Sequence, residues 1–178
     1  MHKDIKYVLM SKEEIGTTVS RLAEKINNDF AGEPVLALII LKGSMFFASD
    51  LLKELTMPLT IDFMKVSSYS QDSKSSGKIN ILLDTSLDLA GLNVLIIEDI
   101  IDSGNTLSKL KALLAERGPK SIKICTLLDK PERREADINA DYTGKLIPNE
   151  FVVGYGLDFA ERYRNLPYIG VLDEKVYS

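Results

Sequence analysis

Apolar positions along this chain alternate between helical spacing and short continuous runs. Ser11-Lys12-Glu13-Glu14 has the spacing of a capping box, and Ile15, Val19, Leu22, Ile26 and Phe30 follow on one helical face until Gly32. Residues 35–41 (VLALIIL) are apolar throughout, which predicts a strand buried on both faces. Gly43 and Ser44 turn the chain into a helix ending near Leu55, and Pro58 precedes a strand over 59–66. The pattern then repeats. Residues 93–97 predict a second buried strand, followed by a Ser-Gly turn and a helix face of Leu107, Leu110, Leu113 and Leu114. Gly118-Pro119 stops that helix, and a strand follows over 121–128.

Two such strand–turn–helix–strand units predict an α/β fold, a parallel twisted sheet with flanking helices. Ligands bind such sheets at the carboxyl ends of the strands, which singles out the turns at Lys42 and Asp102. Residues 67–78 (SSYSQDSKSSGK) are too polar to pack and read as a surface loop. Their place beside both turns leaves a mobile lid as the second reading. Beyond Leu128 the pattern is less regular, with 151–154 as a last short strand. Nothing marks a linker, so residues 1–178 are expected to form one domain.

Composition narrows the chemistry. With 178 residues, 45% hydrophobic and 27% charged, the chain can bury a sizeable core. A net charge of −4 gives no basic footprint for nucleic acid or an anionic membrane. No apolar run approaches the roughly 20 residues that span a bilayer. Residues 1–14 do not read as a secretory signal. Cys125, the single cysteine, excludes an internal disulfide framework, and the expected compartment is the cytoplasm. Mid-strand and apolar in its surroundings, it reads as an inert core thiol. His2, the single histidine, sits at a terminus expected to fray. A histidine base, a Ser-His-Asp triad and a multi-histidine metal site are thereby disfavoured, and acid–base work falls to carboxylates, lysines or tyrosines.

The sharpest feature is VLIIEDIIDSGNTL, residues 94–107. A buried strand delivers Glu98 and Asp99 to the crevice, Asp102 follows, and Ser103, Gly104, Asn105 and Thr106 open a helix. Unpaired amides, a permissive glycine and two hydroxyls at a helix N-terminus form a natural phosphate cradle. It is not a P-loop, which needs a lysine after its last glycine. Simple capping by Asp102 or Ser103 would explain one residue. It leaves unexplained three carboxylates beside an anion site, where like charges repel unless a cation intervenes. A sugar phosphate with Mg²⁺ suits that arrangement.

This segment resembles the phosphoribosyl pyrophosphate signature of type I phosphoribosyltransferases, and its flanks are similar to the hypoxanthine-guanine branch of that family. LLDK (127–130) and FVVGYGLDF (151–159) carry the rest of the resemblance, which covers nearly the whole chain. It implies a small hood, built from N- and C-terminal segments, over the sheet. It further implies purine salvage: transfer of a phosphoribosyl group to hypoxanthine or guanine, with xanthine open, releasing pyrophosphate.

By the same resemblance, Glu98 and Asp99 bind the ribose hydroxyls directly or through magnesium, and Ser103, Gly104, Asn105 and Thr106 hold the 5′-phosphate. Asp102 is the general base on the imidazole-side nitrogen of the purine; a free aspartate, with a pKa of about 3.9, needs tuning for that role. Lys130 contacts the exocyclic oxygen and so selects 6-oxopurines over adenine. Phe151 stacks on the base, and the Val152 backbone meets its pyrimidine edge. Asp158 contacts a second magnesium and approaches the base. Lys42, Gly43 and Arg164 bind pyrophosphate, often with a cis peptide near Lys42-Gly43, while Ser68 and Tyr69 belong to a water-excluding lid. Members of the family are usually dimers or tetramers.

Asn105 and Glu150 depart from relatives that carry lysines there, which implies somewhat weaker nucleotide or pyrophosphate binding. Two rival readings stand: a phosphoribosyltransferase for xanthine, adenine or a pyrimidine, and a regulator that keeps the fold to sense the sugar or bind RNA. Lys130 and Phe151 argue against adenine and pyrimidines. The acidic charge and the presence of Asp102 argue against a regulator.

Overall fold

The computed structural model describes residues 1–67 and 79–177. Strand β1 (Ile5–Met10) leads into helix α1 (Lys12–Phe30). Ser11 closes the expected capping box with Glu14, and Ala31 ends the helix in a left-handed conformation. Then follow β2 (Val35–Ile40), α2 (Met45–Glu54), β3 (Leu59–Ser67), β4 (Asn80–Leu83), β5 (Asn93–Ile101), α3 (Asn105–Ala115) and β6 (Ser121–Asp129). The chain closes with β7 (Tyr142–Leu146), β8 (Val152–Val153) and β9 (Ile169–Leu172).

Six strands form one sheet in the order β4-β3-β2-β5-β6-β7, parallel except where β4 joins β3 antiparallel. The fully apolar run of β2 is explained by burial on both faces. Ala37 and Ile39 pack towards α1 and α2, while Leu36, Leu38 and Ile40 pack towards Leu107, Leu110 and Leu114 of α3. The crossover through α2 therefore lies on one face and that through α3 on the other. β2 and β5 are neighbours at the point where the winding reverses, the place where open α/β sheets bind ligands.

β1, β9 and β8 make a separate antiparallel sheet, the hood of N- and C-terminal segments. It corrects two expectations. The N-terminus is tied down rather than frayed: the His2 amide donates to the Tyr168 hydroxyl at 2.8 Å, and the His2 ring meets Tyr163 edge-on. The strand expected at 151–154 is only Val152–Val153, and β9 rather than that segment is the last strand. Among the described residues, no helix is long and apolar enough to cross a membrane. Cys125 is buried, and burial pushes its thiol pKa up, as fits an inert core thiol.

Candidate active site

A cleft of about 380 Å³ opens at the carboxyl ends of β2, β3 and β5, against the N-terminus of α3. Glu98, Asp102, Ser103, Gly104 and Thr106 line it, with Leu41 and Ser67 on the opposite wall. The buried residues 93–97 force β5 through the core, so the strand's polar end emerges at this crevice and brings the acids with it.

Glu98 and Asp99 are half-buried here. Glu98 Oε2 is inaccessible to solvent and has no hydrogen-bond partner among the described residues. Burial first, and the Asp99 charge second, hold the Glu98 carboxyl well above the usual carboxylate range. Burial likewise pushes Asp99 up to about 6, opposed by backbone amides and by Arg164. Gly43 is what admits Asp99: a β-carbon there would fall 1.6 Å from Asp99 Oδ2. A cis peptide joins Leu41 to Lys42, one bond before the position expected.

Gly104 caps α3 at φ +79° and contributes no side-chain bond, so the first turn beyond Asn105 has no side-chain cap. Neither Asp102 nor Ser103 supplies the cap; the Ser103 hydroxyl accepts only from the Asn105 amide, at 3.3 Å. The Asp102 carboxylate is met by base rather than acid. Arg133 Nε donates to its Oδ1 at 3.1 Å. Arg134 donates to the Asp102 carbonyl at 2.7 Å and pairs with the buried Asp129 carboxylate, tying the turn to the end of β6. Lys130 follows Asp129 with only 8% exposure, its amide on the Ile101 carbonyl at 2.9 Å. Burial lowers the Lys130 pKa, partly offset by the nearby Asp102 charge.

A second group lies on residues 154–164. Arg164 pairs with Asp158 at 2.9 Å and donates to the Gly156 carbonyl at 2.7 Å, while its buried Nε has no partner among the described residues. Lys42 reaches Glu161 at 2.9 Å, and Arg164 reaches the same carboxylate at 3.4 Å. Glu161 thus joins the two cations expected to bind pyrophosphate. Tyr155 bolts this loop to α2 through a 2.7 Å hydrogen bond to Asp50.

Phe151 is 40% exposed and lies outside the cleft lining, in an aromatic cluster with Phe159 and Tyr177. Val152 is buried, with its backbone in the hood sheet opposite Val171. Asn105 donates to Glu135 at 2.6 Å, and Glu150 accepts from the Tyr7 hydroxyl. Ser68 and Tyr69 lie outside the described residues. Sequence reasoning passed over Arg133, Arg134 and Glu161. The arginine pair directly after Lys130-Pro131-Glu132 was the available signal for the first two.

A family model described as a phosphoribosyl transferase domain matches residues 9–160. The chain belongs to the phosphoribosyltransferase family. Among its relatives, the hypoxanthine-guanine phosphoribosyltransferase of Staphylococcus aureus strain Mu50 is 50% identical over 178 residues, covering 100% of this chain and 99% of that one. The crystal structure of a Staphylococcus aureus hypoxanthine phosphoribosyltransferase superposes with a TM-score of 0.95 at 50% identity, covering 100% of this chain and 97% of that one. A hypoxanthine-guanine phosphoribosyltransferase structure from Bacillus anthracis gives 0.88 at 48% identity, covering 94% and 98%.

Proposed function

We propose that this phosphoribosyltransferase transfers the 5-phosphoribosyl group of phosphoribosyl pyrophosphate to hypoxanthine and guanine, releasing pyrophosphate. One observation carries the reading: half-buried Glu98, with an unpartnered oxygen and next to Asp99 in β5, lines the same cleft as the start of α3, whose N-cap makes no side-chain bond, at the switch point of the sheet. The relatives named for this reaction match from end to end, which supports the same substrate class.

In this reading the amides and hydroxyls of residues 103–106 take the 5′-phosphate, where the helix N-terminus favours an anion. Glu98 and Asp99 accept from the ribose hydroxyls. Lys42 and Arg164 receive pyrophosphate, exchanging Glu161 for the leaving group. As the C1′–N9 bond forms and the C1′–pyrophosphate bond breaks, Asp102 takes the N7 proton through the oxygen that Arg133 does not hold. Lys130 donates to the purine 6-oxygen, an ammonium that an amino group there would face unfavourably. Phe151 stacks on the base, the Val152 backbone reads its far edge, and Asp158 stands between base and pyrophosphate.

Magnesium fits the acids that are present. Glu98 offers an unsatisfied oxygen beside Asp99, with Asp158 on the pyrophosphate side. Among the described residues no three acids, histidines or cysteines converge on one point, so substrate oxygens would complete the shell, as magnesium commonly requires. The ion would offset the charge of the pyrophosphate. The rest of the proposal is one domain over residues 1–178, acting in the cytoplasm as a homo-oligomer on small molecules, with no nucleic-acid or membrane partner.

Pyrophosphate release with phosphoribosyl pyrophosphate, Mg²⁺ and each base in turn tests this. Hypoxanthine and guanine give product and adenine gives none. Product from adenine alone overturns the assignment.

A further inference from the structure

We infer that Tyr177, near the end of the chain, is a positioning residue of the purine subsite, backing the Phe151 ring so that one face is left for the base. The inference rests on the 6-oxopurine reading above. Tyr177 stacks on Phe151 with ring centres 5.2 Å apart and planes tilted by 29°. It also meets Phe159 at 6.2 Å, and Phe159 stands edge-on to Phe151 at 5.6 Å. Phe159 follows Asp158, so the tail touches both the stacking ring and the loop on the pyrophosphate side.

Backbone bonds put the tyrosine there. The Leu172 amide donates to the Phe151 carbonyl at 2.8 Å, and the Asp173 amide to the Asp4 carbonyl at 2.9 Å. The Asp173 side chain then caps a 3-10 turn over Glu174–Val176, and the Tyr177 amide closes on the Glu174 carbonyl at 3.2 Å. The hood strand that pairs with Val152 therefore continues into the turn that sets the tyrosine ring.

A planar ring has two faces, and a base and Tyr177 cannot share one. With Tyr177 on one face and Phe159 at an edge, Phe151 still has 40% exposure, enough to present its other face. A half-exposed phenylalanine without such support would change rotamer freely, and a base would have to order it on binding. Held in place, the ring is ordered by folding instead. Among the described residues Tyr177 makes no hydrogen bond to Asp102, Lys130 or the phosphate turn, so its loss acts on base binding and not on the proton transfer.

The test uses the full chain carrying Tyr177→Ala or Tyr177→Phe, with steady-state kinetics in guanine, hypoxanthine and phosphoribosyl pyrophosphate. Tyr177→Ala raises the KM for both bases about three- to tenfold, the range of one aromatic pair, while kcat and the KM for phosphoribosyl pyrophosphate stay within about twofold. Tyr177→Phe keeps the ring and restores the base KM. An unchanged base KM in Tyr177→Ala overturns the inference. So does a lowered one, because the ring would then be occupying the base's place, and so does an equal rise in the KM for phosphoribosyl pyrophosphate, the sign of a loosened hood. Wild-type protein that makes no nucleotide from either base sinks the purine reading itself, before any variant is compared.

Discussion

Asp102, the proposed general base, has its two carboxylate oxygens in different surroundings. Arg133 occupies Oδ1, Arg134 fixes the residue's own carbonyl, and among the described residues Oδ2 accepts no hydrogen bond. A carboxylate held on one oxygen keeps the other aimed and available. Asp102→Asn preserves shape and can still accept from Arg133, but it cannot take a proton. Its kcat falls by about 10²- to 10⁴-fold, while substrate KM values move by less than about threefold. Steady-state kinetics decide this, and wild-type turnover in the variant would discard the base role. Glu98 and Asp99 are different in kind. Their raised pKa values come mainly from burial, a cost that a cation or hydroxyl-rich sugar would relieve in the proposed mechanism.

At the scale of elements, the proposed phosphate site is the start of α3. Gly104 holds φ +79°, and a β-carbon there would lie 2.7 Å from Ile138 Cγ2 and 3.2 Å from Arg134 Cδ. Gly104→Ala therefore costs about 1–3 kcal/mol from strain and displaces the turn that presents the amides. A lowered melting temperature, with a KM for phosphoribosyl pyrophosphate raised more than that for the base, is the expected result. Equal KM values in variant and wild type would show that the turn does not bind the phosphate. The β2-α2-β3 and β5-α3-β6 units were legible because periodicity, glycine turns and apolar runs are local signals. β4 is a four-residue edge strand and β7 reads YTGKL, without clear alternation, so neither announced itself. β1 pairs with β9 across nearly the whole chain, a partnership no local window contains. The acids and the Ser-Gly turn were legible as neighbours in sequence. The contacts of Arg133 and Arg134 with Asp102, and of Glu161 with Lys42, join distant segments, and the exposed Phe151 beside Val152-Val153 looks like a core residue in sequence alone.

Across the whole molecule, the hood sheet is tied to the larger sheet, whose strand ends carry the cleft. Lys145 of β7 donates to the Leu9 carbonyl of β1 at 3.1 Å, Tyr155 reaches Asp50 on α2, and Lys42 reaches Glu161, so the hood and the larger sheet share several fastenings. In the proposed mechanism the substrate zones are divided between them, with phosphate and ribose on the larger sheet and much of the base site on the hood. A crystal structure of the protein with guanosine 5′-monophosphate and Mg²⁺ tests this division most directly. The phosphate is expected on the amides of residues 103–106, the ribose at Glu98 and Asp99, and the base between Lys130 and Phe151. A phosphate bound elsewhere, with those amides left to solvent, would contradict it.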